Sequence, residues 1–105
     1  MLDLVVLDEA RDELRDAEAF YESQHTGLGS DFVDSIGLTI DRVIEHPNLA
    51  SYHPMVGTAT GARCARVNRF PYSVVYVEHE ATIWVVAFAH DRRRPDYWRH
   101  RGIPS

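Results

Sequence analysis

With 105 residues the chain is long enough for one two-layer core and too short for a second, so residues 1–105 are expected to form a single domain. Its 45% apolar and 26% charged content is that of an ordinary globular protein, and no apolar run approaches the roughly 20 residues of a membrane span. The net charge of −5 conceals an asymmetry: residues 1–50 carry twelve acidic and three basic side chains, residues 51–105 four acidic and eight basic, so the second half favours an anionic partner.

The opening stretch MLDLVVLDEARDEL has an acidic residue at position three and no basic region ahead of its apolar run, unlike a secretion signal; the expected location is the cytoplasm, with no membrane partner. Its β-branched and leucine run, 3–7, predicts a first strand. Asp8 stops it and is placed as the N-cap of a first helix, with Glu9 and Asp12 in the turn where the helix dipole favours negative charge. Ala10, Leu14, Ala17 and Tyr21 recur at three-four spacing and make the buried stripe. Arg11, Glu13, Arg15, Asp16, Glu18 and Glu22 are left on the wet side, up to about His25.

Gly27 and Gly29 allow the positive φ of a tight turn, and Ser30 or Asp31 is placed as the cap of a second helix. That helix buries Phe32, Val33, Ile36, Ile40, Val43 and Ile44 until Pro47 ends it, and the two helices form an antiparallel hairpin. After a polar loop over 48–61, ARCARVNRF (62–70), PYSVVYVE (71–78) and TIWVVAFAH (82–90) read as three antiparallel strands. The last is apolar enough to be central or buried on both faces. EHEA reverses the chain between the last two without the Asn-Gly or Asp-Gly of a strong hairpin signal.

The expected fold class is α+β: an N-terminal strand and an antiparallel helical hairpin packed on a mainly antiparallel curved sheet, with mobility confined to the loop 53–61 and the last few residues. Cys64, the single cysteine, is a small apolar filler of a strand. Tyr21, Phe32, Tyr72 and Tyr76 belong to the core. Tyr97 and Trp98 read as rings capping it, with Pro95 opening a short terminal helix.

Six histidines, at 25, 46, 53, 79, 90 and 100, have no paired zinc-type spacing, and neither a metal nor another cofactor is expected. No serine sits in a nucleophile elbow, and the GLG at 27–29 lies between helices rather than after a strand, unlike a phosphate loop. What remains is the basic half, where AHDRRRPDYWRHR (89–101) holds five arginines and two histidines in thirteen positions. The candidate anion- or target-binding residues are Arg63, Arg66 and Arg69, placed on the first late strand, Arg92, Arg93 and Arg94 after the last strand, and Arg99 beyond them. A sheet can bring these segments to one concave edge. Metal-free RNA cleavage needs a base at the 2′-hydroxyl, an acid at the leaving oxygen and cations on the phosphorane, roles open to His90, Tyr97, Arg66 and Arg92. The structural alternative pairs the arginines with helix carboxylates and uses His90 as a hydrogen-bonding group.

ARDELRDAEAFYE in the first helix, GLGSDFVDSIGLTIDRVIEHP through the second, RFPYSVVY and VVAFAHDRRRPDYWRHR follow one another over about residues 4–101. In that order they resemble the RelE/ParE superfamily of toxins from bacterial type II toxin-antitoxin modules. The resemblance implies a small α+β toxin, wrapped and inhibited by a partly disordered cognate antitoxin encoded beside it. It also implies one of two targets. The RelE-like branch cleaves mRNA in the ribosomal A site with basic residues and a C-terminal tyrosine, whereas the ParE-like branch lacks that set and poisons DNA gyrase. Arg92 falls at the RelE-like arginine after the last strand, and Tyr97 or Trp98 near the terminal tyrosine. Ser73, however, stands where that branch has an arginine, and its lysines have no counterpart in a chain without lysine.

RFPYSVVY is more similar to the ParE-like branch, and an acidic balance opposes docking on ribosomal RNA. The resemblance thus implies a ParE-like toxin of the plasmid-stabilising, growth-inhibiting kind that acts on gyrase. The alternatives are an endoribonuclease using His90, Arg92, Arg66 and Tyr97, with the ribosome and mRNA as partners, and a non-toxic relic that binds its partner to regulate their operon.

Overall fold

The computed structural model describes residues 2–54 and 60–103. The elements are β1 (Asp3–Val6), α1 (Asp8–Gln24), α2 (Leu28–Glu45), β2 (Ser51–Tyr52), β3 (Arg63–Arg66), β4 (Tyr72–His79) and β5 (Thr82–His90). They form one five-stranded sheet in the order β1-β5-β4-β3-β2, antiparallel except where β1 runs parallel to β5. The architecture is α+β, as the apolar periodicities and the resemblance both lead one to expect. The expected mobile segments fall largely on 55–59 and 104–105, which lie outside the described residues.

Both helix starts differ from the expected caps. Leu7 is extended and still belongs to the sheet, its N–H donating to the Val85 carbonyl at 3.0 Å, while its own carbonyl accepts the Arg11 N–H at 2.9 Å. Leu7 is therefore the N-cap residue, and Asp8 falls in the first turn, where its charge acts through the dipole rather than a cap hydrogen bond. At α2 neither Ser30 nor Asp31 is the cap. Gly27, at φ 89°, occupies the cap position, and the helix begins at Leu28. The orphan amides of Gly27 and Gly29 donate to the Glu22 carboxylate at 3.0–3.1 Å, so α1 caps α2 across the turn.

The central strands β4 and β5 are buried on both faces. On the inner face Ala10 and Ala17 of α1 and Phe32, Ile36 and Val43 of α2 pack on Val74, Tyr76, Ile83, Val85 and Phe88, with Leu14, Tyr21, Val33 and Ile40 completing the two expected stripes. Tyr21, Phe32, Phe70 and Tyr72 make an aromatic cluster with centroids about 5 Å apart, in mainly tilted and edge-to-face contacts. On the outer face Val75, Val77, Val86 and Ala87 are covered by Tyr97 and Trp98. The tail that carries these rings is a run of i+3 turns, Tyr97 to Arg94, Arg99 to Asp96 and Arg101 to Trp98, rather than the expected short helix. Both rings lie on the outer face of the sheet.

Three strand details also depart from the sequence reading. Ser51–Tyr52, inside the expected loop, pairs with β3 as a short edge strand. β3 ends at Arg66, because the chain then reverses through a turn in which Arg69 takes φ 73°, so Arg69 is not on the strand. Val86 has no partner on β4, since Val75 pairs with Ala87 and Tyr76 with Val85; this bulge turns both Val86 and Ala87 to the outer face.

The β4–β5 hairpin is closed by Glu80 and Ala81, both at positive φ (50° and 60°), the geometry that favours Asn-Gly. Glu80→Asn with Ala81→Gly is expected to raise stability by about 1 kcal/mol, measured by denaturant unfolding. Gly29→Ala should have the opposite effect, because a Cβ there would lie 2.8 Å from the Glu18 carbonyl oxygen and 3.0 Å from the Glu22 carboxylate. A loss of about 1–3 kcal/mol is expected in the same assay.

Candidate functional site

β1 accompanies β5 only to the Val6–Val85 pair, after which the chain leaves the sheet for α1. Beyond that point the free edge of β5 is met by side chains. The Phe88 N–H donates to Glu13 Oε1 at 3.2 Å, and the Val86 carbonyl accepts from Arg101 Nη1 at 2.9 Å. Arg101 also donates to Glu13 through Nη1 at 2.8 Å and Nη2 at 3.2 Å, and the Tyr97 hydroxyl donates to Glu13 Oε2. Glu13 thus receives a backbone amide, a phenol and a guanidinium at once.

The Glu13 and Arg101 side chains are 16% and 8% exposed, so this is a buried ion pair. Burial acts to lower the Arg101 pKa, but the hydrogen bonds and charge of Glu13 outweigh it and hold the guanidinium charged. Burial, reinforced by the bond to Glu13, pushes the Tyr97 phenol well above its ordinary value. Helical spacing puts Glu13 on the wet side of α1. The tail, arriving more than eighty residues later, roofs it over.

The same tail arranges the arginines. Arg93 stacks on the Tyr97 ring, 3.9 Å from its centroid, with Arg101 at 5.1 Å. Arg66 reaches across from β3 and pairs bidentately with Asp91, Nη2 to Oδ2 at 2.8 Å, and this contact holds the Asp91 carboxyl below the usual carboxylate range. Arg94 lies 3.4 Å from Asp96. His90 Nδ1 accepts the Arg92 N–H at 3.0 Å, and the ring meets Tyr72 edge-on at 5.1 Å. Ser73, His90, Asp91, Arg93, Arg94 and Tyr97 line an outer-face cavity of about 280 Å³.

Arg92 and Arg99 are exposed, and neither side chain pairs with a carboxylate among the described residues. Of the expected cationic residues, Arg93 and Arg94 line that cavity and Arg66 pairs with its Asp91, while Arg92 and Arg99 lie exposed on the same tail. Arg63 and Arg69 lie elsewhere. Arg63 stacks on Tyr52 at 4.0 Å and donates to the Ala50 carbonyl at 2.7 Å, while Arg69 turns toward Asp31 of α2 at 3.7 Å. Cys64 packs against the outer cluster, and burial pushes its thiol up to about 11, consistent with an inert filler. Among the described residues no three His, Cys, Asp or Glu side chains gather as metal ligands.

Residues 4–95 match the family model for the ParE toxin of the type II toxin-antitoxin system, parDE. The chain belongs to the ParE toxin family. Its fold is similar to a solved chain of the chromosomal ParDE TA system from P. aeruginosa, with a TM-score of 0.70 and 17% identity over 86% of this chain and 96% of that one. No curated protein matches it in sequence. The ParE match stops at residue 95, so Tyr97 and Arg101 lie beyond it and Glu13 within it.

Arg101→Met leaves Glu13 buried without a counter-charge, and should cost about 3 kcal/mol in denaturant unfolding, part of it recovered when Glu13→Leu is added, since the Phe88 N–H then loses its acceptor. The exposed Arg66–Asp91 pair should matter less. The depressed Asp91 pKa means its contribution is present at neutral pH and lost as the pH falls through that lowered value. Arg66→Ala should remove this acid-side slope from a pH series of melting temperatures.

Proposed function

We propose that this member of the ParE family is the growth-inhibiting toxin of a two-component module, neutralised in the cytoplasm by a cognate antitoxin, and that the free toxin acts on DNA gyrase. The observation that carries the gyrase reading over RNA cleavage is the occupation of the groups a nuclease would need. The Tyr97 proton is committed to Glu13 and its phenol is raised by burial, which removes it as a proton donor near neutral pH. Arg66 is paired with Asp91, and His90 Nδ1 is taken by a backbone amide. Ser73 stands on the strand beside Arg66, where a further cation would be needed on the phosphorane. Arg92, Arg93, Arg94 and Arg99 then serve as a binding surface rather than as machinery for turnover.

The antitoxin has a place to order itself. β2 covers β3 only at Arg63 and Cys64, so the edge of Ala65 and Arg66 is unpaired among the described strands. Beside it runs a groove along α2 with Leu38, 66% exposed, and Arg42 on its walls, opening into a cavity of about 500 Å³ that Arg66 also lines. A disordered segment with apolar and acidic residues could add to the sheet edge and place its charges against Arg42 and Arg66. Loss of such an antitoxin from a cell that has lost both genes would release the toxin, the logic of plasmid stabilisation.

Induction without the neighbouring gene should arrest growth, and co-induction should relieve it. Purified toxin should inhibit gyrase supercoiling or trap cleaved DNA. His90→Ala should retain that activity, while Arg92→Ala with Arg93→Ala should lower it about tenfold or more, as loss of surface anchors does. Cleavage of ribosome-programmed mRNA, abolished by His90→Ala, would establish the endoribonuclease instead. Complex formation with the neighbouring product but no arrest would identify a regulatory relic.

A further inference from the structure

The stretch 91–101 must hold several arginines close together, and like charges in so short a loop repel. Its first end is pinned by the sheet: the Asp91 N–H donates to the Pro71 carbonyl at 2.9 Å, and the Arg93 N–H to the His90 carbonyl at 3.0 Å. Its second end has no strand to join. Tyr97 and Trp98 pack it on the outer face, and Glu13 holds its polar groups, taking the Tyr97 hydroxyl and both terminal nitrogens of Arg101 while accepting the Phe88 N–H from β5. Arg93 in turn lies on the ring whose hydroxyl Glu13 holds.

We propose that Glu13 is the positioning residue of the arginine turn: through Tyr97 and Arg101 it sets where Arg93 and Arg99 stand, and so governs target engagement from α1 without touching the target. The target part of this proposal rests on the reading of the arginine turn as the toxin's working surface. The anchoring is asymmetric in a useful way. The pairs that Arg66 and Arg94 make with aspartates are solvent-exposed and weakly held. The Glu13 pair is buried, so its loss leaves Arg101 without compensation and loosens the tail around Tyr97 and Arg101.

The test compares the full chain with three variants. Glu13→Gln keeps the side-chain size but sets an amide NH2 against donors. Glu13→Leu with Arg101→Met removes both charges, leaving no unpaired ion to unfold the protein. Tyr97→Phe keeps the platform under Arg93 and removes only the hydroxyl. Hydrogen–deuterium exchange is read by segment, and growth arrest is scored at matched levels of folded protein.

In both Glu13 variants the amides of 96–103 should exchange about tenfold faster or more while β4, the helices and β5 other than Phe88 keep their protection, and arrest should weaken as much as in Arg92→Ala with Arg93→Ala. Tyr97→Phe should fall between these and the unaltered chain. Unchanged protection of 96–103 in the Glu13 variants overturns the proposal, and so does full arrest after that segment has loosened. An unaltered chain that causes no arrest counts against the toxin reading, and the exchange rates then decide by themselves whether Glu13 holds the turn.

Discussion

β1 is four residues long and β5 is nine, and the mismatch leaves half of one strand edge without a backbone neighbour. Buried backbone groups require partners, and β1 cannot supply them because the chain must leave the sheet at Leu7 to form α1. A carboxylate from α1 and a guanidinium from the tail do so instead, one accepting from Phe88 and the other donating to Val86. The bulge at Val86 belongs to the same arrangement. By turning Val86 and Ala87 together onto the outer face it creates the apolar patch on which Tyr97 and Trp98 sit, and the tail is thereby held by packing as well as by charge.

The two electrical halves of the sequence acquire different meanings in three dimensions. Most helix carboxylates face solvent, as the amphipathic pattern requires. Glu13 is the exception, and its burial beside Arg101 ties the acidic half to the basic half in the interior, where the Asp31–Arg69 contact does so only at the surface. The remaining arginines divide. Arg93 and Arg94 line the outer-face cavity, and Arg66 pairs with Asp91 on its wall, whereas Arg63 and Arg69, near the two ends of β3, are drawn off by Tyr52 and by Asp31. A cationic surface therefore exists, smaller than the count of arginines suggests.

The helical stripes, the two-faced burial of β5 and the filler role of Cys64 are legible in the sequence because each is a local regularity: an apolar period, or its absence in a strand covered on both sides. The caps are not, since Glu22 reaches α2 across a turn and no local cap motif marks it. Nor is the position of Arg69, whose left-handed backbone has no residue-type signature. Arg101 is one of five arginines in a short run, and nothing in the run distinguishes the buried one from its exposed neighbours.

What the sequence alone determined is the order of elements, the apolar faces and the family resemblance, all of which depend on residues close in the chain or on their pattern along it. Tertiary structure alone decided which charges are buried and which are displayed. That choice depends on where the end of the chain comes to lie on α1, and contacts between residues more than eighty positions apart leave no trace in local periodicity.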